Sequence, residues 1–193
     1  MRERRYRYVG PAELKAAVRA DKGGCRIGSA ADFESWIAER PATDLAEPFT
    51  FVVGTDGVLR LAPRRSEHVV CAGRGPVLSA GEISFIHEAD RWVVGDVSNH
   101  STGYCPDAAS WSAVAPALDR AGLGRPSGFT HEVVFRRCPG CQEHNIVRED
   151  DFVCVFCGGD LPDVWNVDPN MDSGRWAGAL VFHRMASHAC PPG

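Results

Sequence analysis

The chain has 193 residues and a mass of 20.9 kDa, with 44% hydrophobic residues, 24% charged residues and a formal charge of −4. That length and balance suit one domain of ordinary size, or one domain with a small appendage, and exclude wholesale disorder. No stretch of about 18 uncharged apolar residues occurs, which excludes a membrane-spanning helix. The opening MRERRYRY lacks the apolar core of a signal peptide, so a cytoplasmic protein is expected.

Charge is uneven along the chain. Residues 1–40 hold 9 basic and 6 acidic residues, net +3, and the remaining 153 hold 12 and 19, net −7. A nucleic-acid binder usually presents a basic face and often a high isoelectric point, whereas this chain has a pI near 6.0, so nucleic acid is disfavoured as a partner.

The predicted elements begin with two short helices. Pro11 suits a first helical position, Leu14, Ala17 and Val18 share a face, and Gly23 can end the helix. Ser29 and Asp32 resemble a capping box ahead of the stripe Phe33, Trp36, Ile37, and Pro41 closes that second helix. FTFVV at 49–53 and VLRLA at 58–62 flank Gly54-Thr55-Asp56-Gly57, a hairpin signal. HVVCA at 68–72, EISFIHE at 82–88 and RWVVGDVSN at 91–99 read as further strands, the last two joined tightly through Glu88, Ala89 and Asp90. A helix around 108–121 aligns Trp111, Val114 and Leu118, with Gly122 near its end. Pro116 inside it demands a kink or a later start. THEVVFRR at 130–137 is the last strand of the sheet and runs into the cysteines. The expected architecture is therefore α+β: two N-terminal helices, a mostly antiparallel sheet with one further helix, and an appended C-terminal zinc ribbon. The expected divisions are 1–135, 136–166, and an extension 167–193 with a short helix around 175–187.

Eight cysteines occur, and four of them, Cys138, Cys141, Cys154 and Cys157, form CPGC and CVFC with twelve residues between. Two C-x-x-C turns bring four sulfurs to a tetrahedral shell, the zinc-ribbon pattern. NIV and DFV read as short strands around an REDD turn, and Gly140, Gly158 and Gly159 permit the tight backbone of the knuckles. Four thiolates leave no open position for a reacting water, so the expected Zn²⁺ is structural. The same stretch is acidic, with Glu132, Glu143, Glu149, Asp150, Asp151 and Asp160 against Arg136, Arg137 and Arg148. That favours stabilisation or a protein contact over nucleic-acid binding.

The order TFVVGTDGVLRLAPRRSEHVVCAG, VLSAGEISF, VSNHSTGYCPD, ALDRAGL, then the ribbon and Trp165-Asn166, resembles a family of uncharacterised bacterial proteins over roughly residues 6–166. That resemblance implies no particular activity. More distantly, Asp56-Gly57, Ala80-Gly81-Glu82, Ser98-Asn99, Ser101, Tyr104 and Pro106 resemble the SGHY-type domain of bacterial polymorphic toxins and plant calmodulin-binding proteins. The Gly-His of that pattern is Thr102-Gly103 here, and His100 is not its equivalent by position.

The loop SNHSTGYCP is the strongest candidate for a pocket. It runs from a strand end toward a helix start, where amide N–H groups can receive an anion. Asn99, His100, Ser101, Thr102 and Tyr104 crowd hydrogen-bonding groups there, and a nucleophile would pair Cys105 with His100 or His68. The competing reading makes the small polar residues turn chemistry and buries Tyr104 and Cys105 in the core. Glu82 and His68 are weaker pocket candidates. On a strand His68 faces away from Glu67, and Glu82 faces away from His87. The sequence as a whole points to a zinc-stabilised binding protein whose partner is another protein or a small anionic ligand. The alternative is an enzyme acting on a nucleotide-like or phosphorylated substrate through that loop.

Overall fold

A computed structural model describes residues 4–19 and 23–167. The expected helix around 175–187, with His183, His188 and Cys190, lies outside the described residues. Pro11 leads α1 (Ala12–Ala17), which buries none of its residues; Val18 has already turned extended and is the buried one. The helix thus stops well short of Gly23. A strand with no counterpart in the expectation follows, β1 (Cys25–Ile27). In α2 (Ala30–Ala38), Ser29 Oγ accepts from the Asp32 amide at 3.2 Å while the Asp32 carboxylate accepts from the Gly28 amide at 2.9 Å. This reciprocal cap fixes the helix start so that Phe33, Trp36 and Ile37 are buried on one stripe. Pro41 then begins a further short helix, α3 (Ala42–Leu45).

The main sheet has five strands in the order β1-β3-β2-β4-β5, every neighbouring pair antiparallel. β2 (Phe49–Gly54) and β3 (Leu59–Ala62) form the expected hairpin, with Gly57 in the left-handed region at φ 73°. β4 (Val77–Glu88) starts five residues before Glu82, and β5 (Arg91–Ser98) returns beside it. β2 is buried along its whole length because the sheet is covered on both sides. Phe49, Phe51 and Val53 pack with Phe33, Trp36, Val114 and Leu118, while Val52 joins Val69, Cys71 and Tyr104 on the opposite side. The helix on the first side is a 3₁₀ turn, Ala108–Ser110, that opens into α5 (Trp111–Arg120) and passes through Pro116.

Three strand expectations fail. HVVCA is no strand: His68–Cys71 is a one-turn helix, α4. The reason is topological. β3 and β4 are each antiparallel to β2 and lie on either side of it, so they run parallel to one another. Joining them requires a crossover over the face of β2, and such crossovers are usually helical. Burying Val69 and Cys71 on Val52 outweighs the β preference of the Val-Val pair. The strand-face argument separating His68 from Glu67 therefore does not apply.

THEVVFRR also fails as a strand of the main sheet. Only its second half is extended, as β6 (Val134–Arg137), and it pairs with β7 (His144–Val147) in a separate two-stranded sheet. Residues 130–131 meet the main sheet at the end of β5, where the Val97 carbonyl accepts from the Thr130 and His131 amides. DFV is not a regular strand either, contributing the single bridge Val153–Asp160. The REDD turn forms as expected, with Glu149 and Asp150 both at positive φ.

Candidate functional site

The four cysteines of the two C-x-x-C motifs converge, with every pair of sulfurs within 4.8 Å. Cys138 and Cys157 lie 3.6 Å apart, and Cys141 and Cys154 lie 3.5 Å apart. A metal bonded to four sulfurs at about 2.3 Å sets tetrahedron edges of roughly 3.8 Å, so the spacing fits an ion held by all four. The two knuckles repeat one backbone pattern. The Gln142 amide donates to Cys138 O and the Gly158 amide to Cys154 O; the Cys138 amide donates to Glu143 O and the Cys154 amide to Gly159 O. The residue after each second cysteine is left-handed, Gly158 at φ 72° and Gln142 at φ 68°, so the strained position of the first knuckle falls on Gln142 and not on Gly140.

Buried Asn145 braces the pair. Its amide nitrogen donates to Glu143 O and Cys154 Sγ, and its oxygen accepts from the Val155 amide. Burial opposes ionisation of Cys154, but the Cys157 and Phe156 amides outweigh it and bring the thiol down to about 6. At Cys141 the Glu143 amide favours the thiolate, yet burial and the three crowded sulfurs push the thiol up to about 12. A cation at the centre is what allows four such sulfurs to ionise together.

The stretch after the second knuckle is tied back to β6 and to the 98–106 loop by three side chains; Trp165 and Asn166 stand out in the sequence only as an end motif, and Arg136 only as a charge. The buried Arg136 guanidinium donates to Phe135 O, Pro162 O and Asp163 O. Asn166 pairs with both backbone groups of Arg137, and Trp165 Nε1 donates to Cys105 O at 2.8 Å. The closing Trp-Asn pair is thus a clasp.

The SNHSTGYCP loop sits under that clasp, and most of its polar groups are consumed by the fold. Asn99 is fully buried, donating to Pro106 O and Val133 O and accepting from the Val133 amide. Tyr104 is buried, its hydroxyl donating to Gly75 O and its ring meeting Tyr8 edge-on. Cys105 is fully buried in the left-handed region, its thiol donates to Thr102 O, and burial raises its pKa, so no thiolate is available for attack. Ser101 Oγ is buried and has no hydrogen-bond partner among the described residues. Thr102 is half-buried. At the helix start beyond the loop the Asp107 carboxylate accepts from the Ala109 amide, so the chain's own carboxylate takes that amide.

His68 and Cys105 are each engaged elsewhere, Cys105 with Thr102 O and His68 on β4. His68 Nε2 pairs with Gly81 O at 3.0 Å, and burial brings its pKa down to about 4. Gly81 itself abuts the end of β5 so closely that a Cβ would collide with the Ser98 carbonyl, which accounts for the Ala80-Gly81-Glu82 motif as packing. His100 and Glu82 are the loop-region candidates that reach solvent, with His100 Nδ1 3.9 Å from the Glu82 carboxylate. They line a surface cleft of about 270 Å³ with a second such pair, His131 and Asp96, also 3.9 Å apart, and with Ser98, Pro48, Val97 and Val133. Asp96 and His131 lie far apart in sequence and come together only because residues 130–131 dock on the end of β5, so no local pattern could have announced them.

No family description, curated protein or solved structure matches the chain. No helix among the described residues is long and apolar enough to cross a membrane.

Proposed function

We propose that the chain is a zinc-stabilised, cytoplasmic binding protein whose partner is another protein. The convergence of Cys138, Cys141, Cys154 and Cys157 carries this reading. Four sulfurs suit a soft, tetrahedral ion, and zinc is the ion that ribbon knuckles of this spacing ordinarily take. The shell is filled by protein, so the metal's part is to hold Arg136, Trp165 and Asn166 where they tie the closing segment to β6 and to the Cys105 loop. A reducing cytoplasm keeps such thiols free for metal. The two carboxylates of the cleft oppose a small anionic ligand, which supports a protein partner over a phosphorylated one.

The test is metal content and its effect on melting. Purified protein should hold one zinc per chain; a chelator or Cys154→Ser should remove it and lower the melting temperature. A metal-free chain that melts at the same temperature would overturn the structural role. An enzyme acting on a nucleotide-like or phosphorylated substrate is the second reading. It takes support from the two histidine–carboxylate pairs in one cleft, and it requires His100→Ala to cost about 10²-fold or more in turnover.

A further inference from the structure

The second knuckle carries side chains that its own folding does not use. Along residues 151–154 and into the knuckle turn at 155 exposure alternates, with Cys154 buried, Phe152 half-buried and Asp151, Val153 and Val155 exposed. Val153 is 42% exposed, Val155 77% and the adjacent Phe156 48%. The turn does not require bulk at these places, since the first knuckle builds the same backbone with Pro139 and Gly140 between its cysteines. Around this apolar centre stand four carboxylates. Glu149 and Asp150 form the turn just before it, Asp151 shares its face, and Asp160 bridges directly opposite Val153. None of the four takes part in a salt bridge among the described residues. An apolar centre inside a charged rim is the anatomy of a protein interface.

We infer that the second knuckle is a docking surface for a partner-protein segment with aliphatic or aromatic anchors flanked by lysine or arginine. The inference rests on the binding reading above and names its surface. Charge decides the chemistry of the occupant: four acidic groups against Arg148, whose backbone bridges Asp151, leave the rim net negative, which selects a basic partner and disfavours a symmetric pairing of two copies. The chain's own residues 168–193 set Arg175 and Arg184 against Asp168 and Asp172, so they bring no net positive charge to the rim.

The experiment selects peptides from a random phage-displayed library on the zinc-loaded full-length protein, beside a Val155→Ser/Phe156→Ser double variant. Both replaced side chains are exposed, so the variant should keep its zinc and its melting temperature, and both are measured first. The expected result is enrichment of sequences with apolar anchors between Lys or Arg, binding the double variant at least tenfold more weakly and weakening with salt. Acidic winners, no enrichment, or equal binding to both proteins would overturn the proposal. Binding that emerges only after Trp176→Ser and Phe182→Ser would make the chain's own C-terminal segment the occupant and overturn it too. So would a dimer in sedimentation that the double variant abolishes. Failure with one zinc per chain retained would sink this surface alone, whereas failure of zinc binding would sink the function proposed above.

Discussion

Replacing Asn99 with alanine should be among the most damaging single changes in the molecule, although the residue is neither a metal ligand nor part of the apolar core. Its side chain makes three bonds of 2.7 to 2.8 Å, two of them to opposite edges of the Val133 peptide region and one to Pro106 O, in a fully buried position. Alanine leaves two carbonyls and one N–H without partners. Each lost bond contributes about 1 kcal/mol net, and each orphaned group adds desolvation, for a total of about 3 to 5 kcal/mol. Against a total stability of about 5 to 15 kcal/mol this is a large fraction. For a chain of this length it lowers the melting temperature by on the order of 10 °C.

Asn99→Asp sharpens the test. One carboxylate oxygen can still accept from the Val133 amide, but the other then faces two carbonyl oxygens. The aspartate protein should be at least as unstable as the alanine one at neutral pH and should recover as acid protonates the carboxyl, because that group's pKa is raised in the folded state. Urea titrations followed by tryptophan fluorescence would measure both, with zinc content checked beside them. An alanine cost below about 1 kcal/mol, with the urea dependence unchanged, would refute the clamp.

Two further outcomes are expected. His68, held down to about 4 by burial, binds protons in the unfolded chain at a pH where the folded one does not. Its contribution to stability is full above about pH 6.5 and is lost as pH falls toward 4, so wild type should lose about 2 to 3 kcal/mol relative to His68→Gln between about pH 7 and about pH 4.5. Parallel urea curves for the two proteins would show it, and a constant gap would refute it. Separately, alkylation mapped by mass spectrometry on the zinc-loaded protein should label exposed Cys25 and spare buried Cys71 and Cys105 until the chain unfolds. Rapid labelling of Cys105 in the native state would contradict its burial.

Where local chemistry decided the outcome, the sequence was legible. The Ser29–Asp32 cap, the Gly54–Gly57 hairpin, the helix through Val114 and Leu118, and the four-cysteine cluster all depend on residues close in the chain, or on a spacing that has few other uses. The failures share the opposite property. HVVCA has the composition of a strand, and what makes it a helix is the position of β2 between β3 and β4, which no window of residues reveals. The same holds for the loop 98–106. Its density of Asn, Ser, Thr and Tyr signalled hydrogen bonding correctly, but whether those groups serve a ligand or the fold depends on Val133, Gly75 and Trp165, each distant in sequence. The Asp96–His131 pair was invisible for that reason, while the clasp was half visible, as a Trp-Asn pair without an assigned job.

The clasp also bears on how the protein is made. Trp165 lies edge-on against Tyr6, with ring centres 5.4 Å apart, and the Arg4 guanidinium rests over its indole. Val167 is buried with Cys105 and Phe135. A ribosome therefore has to deliver nearly all of the described chain before the segment around Tyr6 can be covered. A product ending anywhere short of Trp165 would carry the Tyr6 ring, the Cys105 carbonyl and the Phe135 surface uncapped, even if both knuckles had already been made. Incomplete copies would thus differ from finished ones in exposed apolar surface, the feature by which cellular proteolysis sorts its targets.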